Sequence, residues 1–251
     1  MPNDLDIAIS VTCYKRLDYL STMFRALDKS LSLANKNNTP IYISVDYYHS
    51  SIVKYVNSLN QFNKIIVVNN PSLGCNKNTK QAIELAISNH DAVIHLEDDT
   101  IPTRDAINFY TENLNKYKDE SSILSISGYN KTTILEPERY KEIIKESSFI
   151  CWGCAFWKNK SDIIINNWTQ FQDRENRYGS WDTHLHNNIF QKLGYYQARP
   201  IISRIQNIGA KNGTYSSLVA NQYNMDETEW HTMNHMSPYT SDDLQNAKNN
   251  Q

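Results

Sequence analysis

Strand and helix patterns alternate four times within the first hundred residues, and that rhythm restricts the chain to few architectures. Residues 7–11 are apolar and β-branched; Leu17, Leu20, Phe24, Leu27 and Leu31 then recur at steps of three and four, the stripe of an amphipathic helix. Residues 41–45 read as a second strand, followed by a short helix with Val53, Val56 and Leu59 on one face. A third strand is expected at 65–68, a helix with Ala82, Ile83, Ala86 and Ile87 toward the core, and a fourth strand at 92–96. Repeated strand–helix units imply right-handed crossovers, and therefore an α/β fold with a mainly parallel central sheet and helices on both faces. Such sheets bind ligands beyond the carboxyl ends of their strands.

The fourth strand carries the sharpest chemical signal to that edge. Val93, Ile94 and Leu96 give way abruptly to Glu97-Asp98-Asp99, with Pro102 shortly after. Three adjacent carboxylates repel one another, so a positive partner is expected. A hard divalent cation bridging a diphosphate is the simplest, because Mg²⁺ or Mn²⁺ takes one or two carboxylates plus substrate oxygens. The other reading is that the triplet caps a following helix, since acidic groups favour a helix N-terminus. The triplet alone leaves both open.

The chain of 251 residues, 40% hydrophobic and 21% charged, is large enough to bury a full core. A net charge of -2 with scattered Lys and Arg offers no basic stripe, so nucleic acid is not expected as a partner. No cationic or apolar leader precedes the first strand, and no stretch reaches the roughly 18 apolar residues of a membrane span. The expectation is a cytoplasmic enzyme, with peripheral membrane association left open. Cys13, Cys75, Cys151 and Cys154 are too few and dispersed for a disulfide framework. Cys151 and Cys154 have CxxC spacing, but His231 and His235 form no convincing second ligand pair, so packing thiols are expected. The sequons at Asn167 and Asn212 arise in an Asn-rich chain and are not read as secretion.

Beyond residue 100 the rhythm loosens. A helix is expected with Ala106, Phe109, Tyr110, Leu114 and Tyr117, a strand at 123–127, an aromatic strand at 149–157 and a helix near 161–168. A polar segment covers 170–179, and a further helix begins around Trp181 with Leu185, Ile189, Phe190 and Leu193. Residues 195–204 read as extended, 207–217 as a loop containing Gly209 and Gly213, and the polar end after about 226 as mobile. No repeat or linker interrupts the chain, so one continuous sheet is expected to serve both halves.

Four segments fall at the same sheet edge: residues 11–16 after the first strand, Asp46 after the second, 73–77 after the third, and Glu97 to Asp99 after the fourth. This order resembles the GT-A fold glycosyltransferases, the Rossmann-like nucleotide-diphospho-sugar transferase fold. The second half is similar to the N-acetylglucosaminyltransferase I-like enzymes and their bacterial relatives. Trp152-Gly153-Cys154-Ala155-Phe156-Trp157 resembles their Trp-Gly-x-Ala-x-Trp strand, Ser180-Trp181-Asp182 their Trp-Asp motif, and residues 199–204 their Arg-Pro-x-x-Ser-Arg run. The match covers most of residues 5–217 and rests on the order and spacing of short motifs.

The resemblance implies a single catalytic domain over 1–225, with a nucleotide-binding half at about 5–99, an acceptor half at 100–225 and a polar C-terminal segment at 226–251. It implies transfer of a sugar from a nucleotide-sugar donor, UDP-sugar favoured, to a hydroxyl of a glycan or glycoconjugate acceptor. Asp99 would ligate Mn²⁺ or Mg²⁺, with Glu97 and Asp98 supporting metal and donor, and Asp46 would read the base edge. Arg16 and Lys77 would sit near the donor, where a guanidinium pairs with phosphate or a carboxylate. Asp182 is the candidate base: an inverting transfer needs one carboxylate to take the acceptor proton while charge builds on the leaving diphosphate. Its alternative role is a helix N-cap. Trp152 and Trp181 could offer flat faces to an acceptor sugar, or simply pack in the core. The sequence departs from the pattern at Tyr215, where many bacterial relatives carry His; His231 or His235 could supply that contact. A second departure is the pair of cysteines in the aromatic strand.

Two rival functions remain. A sugar nucleotidyltransferase would also set carboxylates and a metal on such a sheet, but it should show a Gly-rich phosphate loop after the first strand, and residues 13–17 contain no glycine. A non-catalytic domain binding nucleotide or glycan would not need the retained Asp182.

Overall fold

The computed structural model describes residues 4–130, 137–171 and 180–209. The first half alternates as the sequence predicts: β1 (Ile7–Cys13), α1 (Leu17–Leu33), β2 (Ile41–Val45), α2 (Ser50–Ser58), β3 (Lys64–Val68), α3 (Gly74–Ile87) and β4 (Ala92–Glu97). Then follow β5 (Thr100–Pro102), α4 (Ala106–Tyr117), β6 (Ile123–Ser127), β7 (Ile143–Glu146), β8 (Cys154–Trp157) and α5 (Ser161–Ile165). α6 (Trp181–Leu185) continues as a wider π-helical turn to Gln191, and β9 (Tyr196–Pro200) and β10 (Ile205–Asn207) complete the described chain.

Eight strands form one sheet in the order β3-β2-β1-β4-β8-β6-β9-β7, and β5 pairs with β10 in a small second ribbon. β3, β2, β1 and β4 are parallel neighbours, as are β6 and β9; β8 and β7 run against them. The sheet is therefore continuous across both halves, with β8 stitching β4 to β6. Alternation along the strands sends successive residues to opposite faces. Ile9, Ile94, Leu96 and Trp157 pack with α1 and α4 on one side, while Ala8, Val93 and Phe156 pack with Ile83, Trp168, Trp181 and Phe190 on the other.

Several expected elements shift. In α2 it is Ile52 that is buried with Val56, while Val53 is only half-buried. The aromatic strand shrinks to Cys154–Trp157, because the chain turns at Gly153, whose φ of +58° and contact with Ile205 admit no larger residue. β7 has only half-buried and exposed residues, which left no apolar pattern to read. The helix expected near 161–168 ends at Ile165.

Candidate active site

β4 ends at Glu97, and Asp98 and Asp99 form the turn into β5. Thr100 locks that turn, its hydroxyl donating to Glu97 O at 2.9 Å and accepting from Glu97 N at 2.8 Å. The triplet does not cap a helix. α4 begins only at Ala106, and Asp105 occupies its N-cap position.

Arg16, at the start of α1, reaches across the sheet edge to both aspartates. Its Nη2 and Nε grip Asp98, the latter at 3.2 Å, and its Nη1 donates to Asp99 Oδ2 at 2.7 Å. Asp98 and Asp99 are almost fully buried. Asn207 of β10 donates to Asp99 Oδ1 at 3.3 Å, the Ile208 N–H to its main-chain O at 2.9 Å, and Gly209 lies so close that a Cβ would overlap Oδ2. The segment after the Arg-Pro-x-x-Ser-Arg run is thereby folded onto the acidic turn.

Electrostatics follow from this enclosure. Burial raises the Asp98 carboxyl to about 6, opposed by Arg16 and reinforced by Asp99. Burial, then Asp99, pushes Glu97 well above the carboxylate range, and Asp182 and Asp98 add to it. The Arg16 guanidinium is held more firmly protonated by Asp99 and Asp98, despite its burial. One guanidinium thus serves a cluster of three carboxylates with Asp182 close enough to be felt. All four oxygens of Asp98 and Asp99 already accept bonds from Arg16 or Asn207; a divalent cation, which needs only one or two protein carboxylates when phosphates and water complete its shell, would share those oxygens with the guanidinium. No group of three His, Cys, Asp or Glu converges on a metal position among the described residues.

Asp46 follows β2 and is buried. Its Oδ1 accepts the Leu73 and Gly74 N–H groups at 2.8 and 3.0 Å, and its Oδ2 the Ser72 hydroxyl at 2.6 Å. It therefore caps the start of α3 from outside that helix, a role its place in the sequence did not reveal. Lys77 lies exposed in the first turn of α3.

Asp182 is the second residue of α6 and half-buried; Ser180, not Asp182, occupies the N-cap position. The Cys151 thiol lies 3.7 Å from its Oδ2, and burial, with Asp182 and Glu97 beside it, pushes that thiol well up. Cys151 and Cys154 are buried free cysteines, as packing requires. Asp182 lines a cleft of about 340 Å³ with Glu146, Ser148, Phe149, Thr183, His186 and Arg199. Arg199 is buried beside it, donating to Gln197 at 2.9 Å, Glu146 at 2.7 Å and Ser148 at 2.6 Å.

The two tryptophans part ways. Trp181 is 2% exposed and its face lies on Trp168, centroids 4.9 Å apart at 8°, with Phe149 and His95 at its edges. Its flat face is thus covered by protein, and it acts as core. Trp152 is half-buried, edge-on to Tyr129. Tyr215, His231 and His235 lie outside the described residues. Tyr14, Tyr47 and Tyr48 are 41%, 42% and 56% exposed just beyond β1 and β2.

No protein-family model matches this sequence, and no curated protein matches it. Solved structures do. S. aureus TarS (1-349) superposes with a TM-score of 0.55 at 10% identity, over 92% of this chain and 70% of that one. The mannosyltransferase PcManGT from Pyrobaculum calidifontis, in complex with GDP-Man and Mn²⁺, gives 0.55 at 11%, over 98% and 70%. GalNAc-T7 with UDP, GalNAc and Mn²⁺ gives 0.56 at 13%, over 85% and 45%. With its four parallel N-terminal strands, its acidic turn at the sheet edge and these neighbours, the chain has the GT-A fold.

Proposed function

We propose that this protein is an inverting glycosyltransferase that moves a sugar from a nucleotide-sugar, UDP-sugar favoured, to a hydroxyl of a glycan or glycoconjugate. The observation that carries the reading is the buried Asp98–Asp99 turn bound to Arg16 at the carboxyl edge of the parallel strands, with Asp182 and an open cleft beside it. The solved neighbours in complex with UDP, UDP-GlcNAc or GDP-Man support it. The motif run over 152–157, 180–182 and 199–204 supports a place beside the N-acetylglucosaminyltransferase I-like enzymes.

In this reading the donor diphosphate lies along the edge, with Arg16 and Lys77 contributing positive charge. Asp46 and the exposed tyrosines stand where the nucleotide base would lie. Asp99, with Glu97 and Asp98, would hold Mn²⁺ or Mg²⁺; a bound metal would stabilise charge on the leaving diphosphate. The cleft takes the acceptor, Trp152, outside the cleft lining, would meet only a part of it that extends further, and Asp182 accepts the proton of the attacking hydroxyl. An acceptor hydroxyl deprotonated from the side opposite the diphosphate gives one displacement and an inverted product.

Calorimetry tests the donor site. UDP should bind more tightly with Mn²⁺ than with EDTA, and Asp99→Ala should abolish the difference while leaving the circular dichroism spectrum unchanged. The same Mn²⁺ enhancement in the variant would remove Asp99 from the metal site.

A further inference from the structure

The donor and acceptor sides of the molecule meet at one turn of chain. Asp46 holds the start of α3 from the donor side through Ser72, Leu73 and Gly74. Two residues on, Asn76 holds the acceptor side. Its side chain is 2% exposed; Oδ1 accepts the Trp181 main-chain N–H at 2.9 Å, and Nδ2 donates to Phe171 O at 3.2 Å. Its main-chain O accepts the Trp168 indole N–H at 3.0 Å. The Trp168 and Trp181 rings then stack on each other.

This arrangement answers a local need. A helix start leaves N–H groups without intrahelical acceptors. Ser180 spends its hydroxyl on Thr183 Oγ1 at 2.9 Å and gives α6 no side-chain cap. Asn76 supplies an acceptor from another helix, to the residue immediately before Asp182. Bonded main chain and stacked ring fix Trp181 at two points, so the Asp182 backbone has little freedom.

We infer that Asn76 is a positioning residue: through Trp181 it sets where the Asp182 carboxylate stands, and the turn 72–76 ties that position to the donor-side Asp46. The inference rests on Asp182 being the base. The Asn76 amide bonds the main-chain groups of Trp181 and Phe171 across this junction. Since a misplacement of about 1 Å costs on the order of 10²-fold in rate, losing this anchor should act on turnover rather than on donor binding.

A double-mutant cycle decides it. Hydrolysis of UDP-N-acetylglucosamine, or of whichever UDP-, GDP- or CMP-sugar turns over fastest, is followed by nucleotide release with water as acceptor. Asn76→Ala should lower kcat about 10- to 100-fold with donor KM within about twofold. Combined with Asp182→Asn it should add no further loss, because a base already removed cannot be misplaced. Asn76→Asp keeps an acceptor for the Trp181 N–H and should recover most of kcat. A raised donor KM at unchanged kcat, or an Asn76→Ala loss that persists in full on the Asp182→Asn background, would overturn the inference. If Asn76→Ala does not fold, the cycle is run with Asn76→Ser, whose shorter side chain withdraws the acceptor from the Trp181 N–H: a loss that vanishes on the Asp182→Asn background supports the role, and no loss or a fully additive one refutes it. Normal turnover in Asp182→Asn alone would instead remove the base, and is read from that variant independently.

Discussion

Arg16 is the residue on which the acidic edge depends. Three of its nitrogens bond two buried carboxylates that would otherwise face each other, so its loss leaves charges without a partner in a place water barely reaches. Arg16→Gln should destabilise the fold by about 3 kcal/mol and weaken UDP binding at least about tenfold, since in the proposed reading the guanidinium also supplies positive charge to the donor diphosphate. Urea denaturation and calorimetry read the two effects separately; unchanged UDP affinity in a folded variant would place the diphosphate elsewhere. The sequence made these residues visible for a simple reason: an abrupt change from apolar strand to carboxylates is local. The bonds they make are not. That Asp46 caps α3, that Asn207 meets Asp99 and that Trp168 covers Trp181 all join positions far apart in the chain, and no periodicity records them.

Among the elements, the strands and helices of the first half were readable because most bury one clean stripe or a full strand in the core; β3, which has no buried residue, was readable from its apolar β-branched run. Leu20, Phe24, Leu27 and Leu31 of α1 are buried where their spacing puts them. The second half was less readable because polar anchors replace apolar stripes there. Lys160, just before α5, is buried and donates to the carbonyls of Tyr117, Glu120 and Ile123 at 3.1, 2.8 and 2.9 Å, with its ammonium 4.0 Å from the Trp157 ring centre. It closes the C-terminal end of α4, where carbonyls lack intrahelical donors. Arg204 acts similarly, bonding Asp105 at 2.7 Å and the carbonyls of Ile202 and Tyr140. Neither residue belongs to an apolar pattern, and both are structural knots in space. Lys160→Met keeps the stem over Trp157 but leaves three carbonyls without their donor, and should cost about 2–3 kcal/mol in urea denaturation. A loss below about 0.5 kcal/mol would show that water replaces the ammonium without penalty.

One eight-stranded sheet runs through both halves of the described chain, and in the proposed reading its layout separates two tasks. Parallel strands β3-β2-β1-β4 bring Arg16, Asp46 and Glu97 to Asp99 to a common edge, while the reversed strand β8 carries the chain over to β6, β9 and the cleft beside Asp182. In the proposed reading, donor and acceptor sites thus lie on adjacent parts of one scaffold, which suits a reaction needing two substrates held in line. The most direct measurement is proton NMR of the sugar released or transferred from the donor that turns over fastest, in the native protein and in Asp182→Asn. The reading predicts a product of opposite anomeric configuration to the donor, formed about 10²- to 10⁴-fold more slowly by the variant at nearly unchanged donor affinity. Retained configuration, or native turnover by Asp182→Asn, would contradict it.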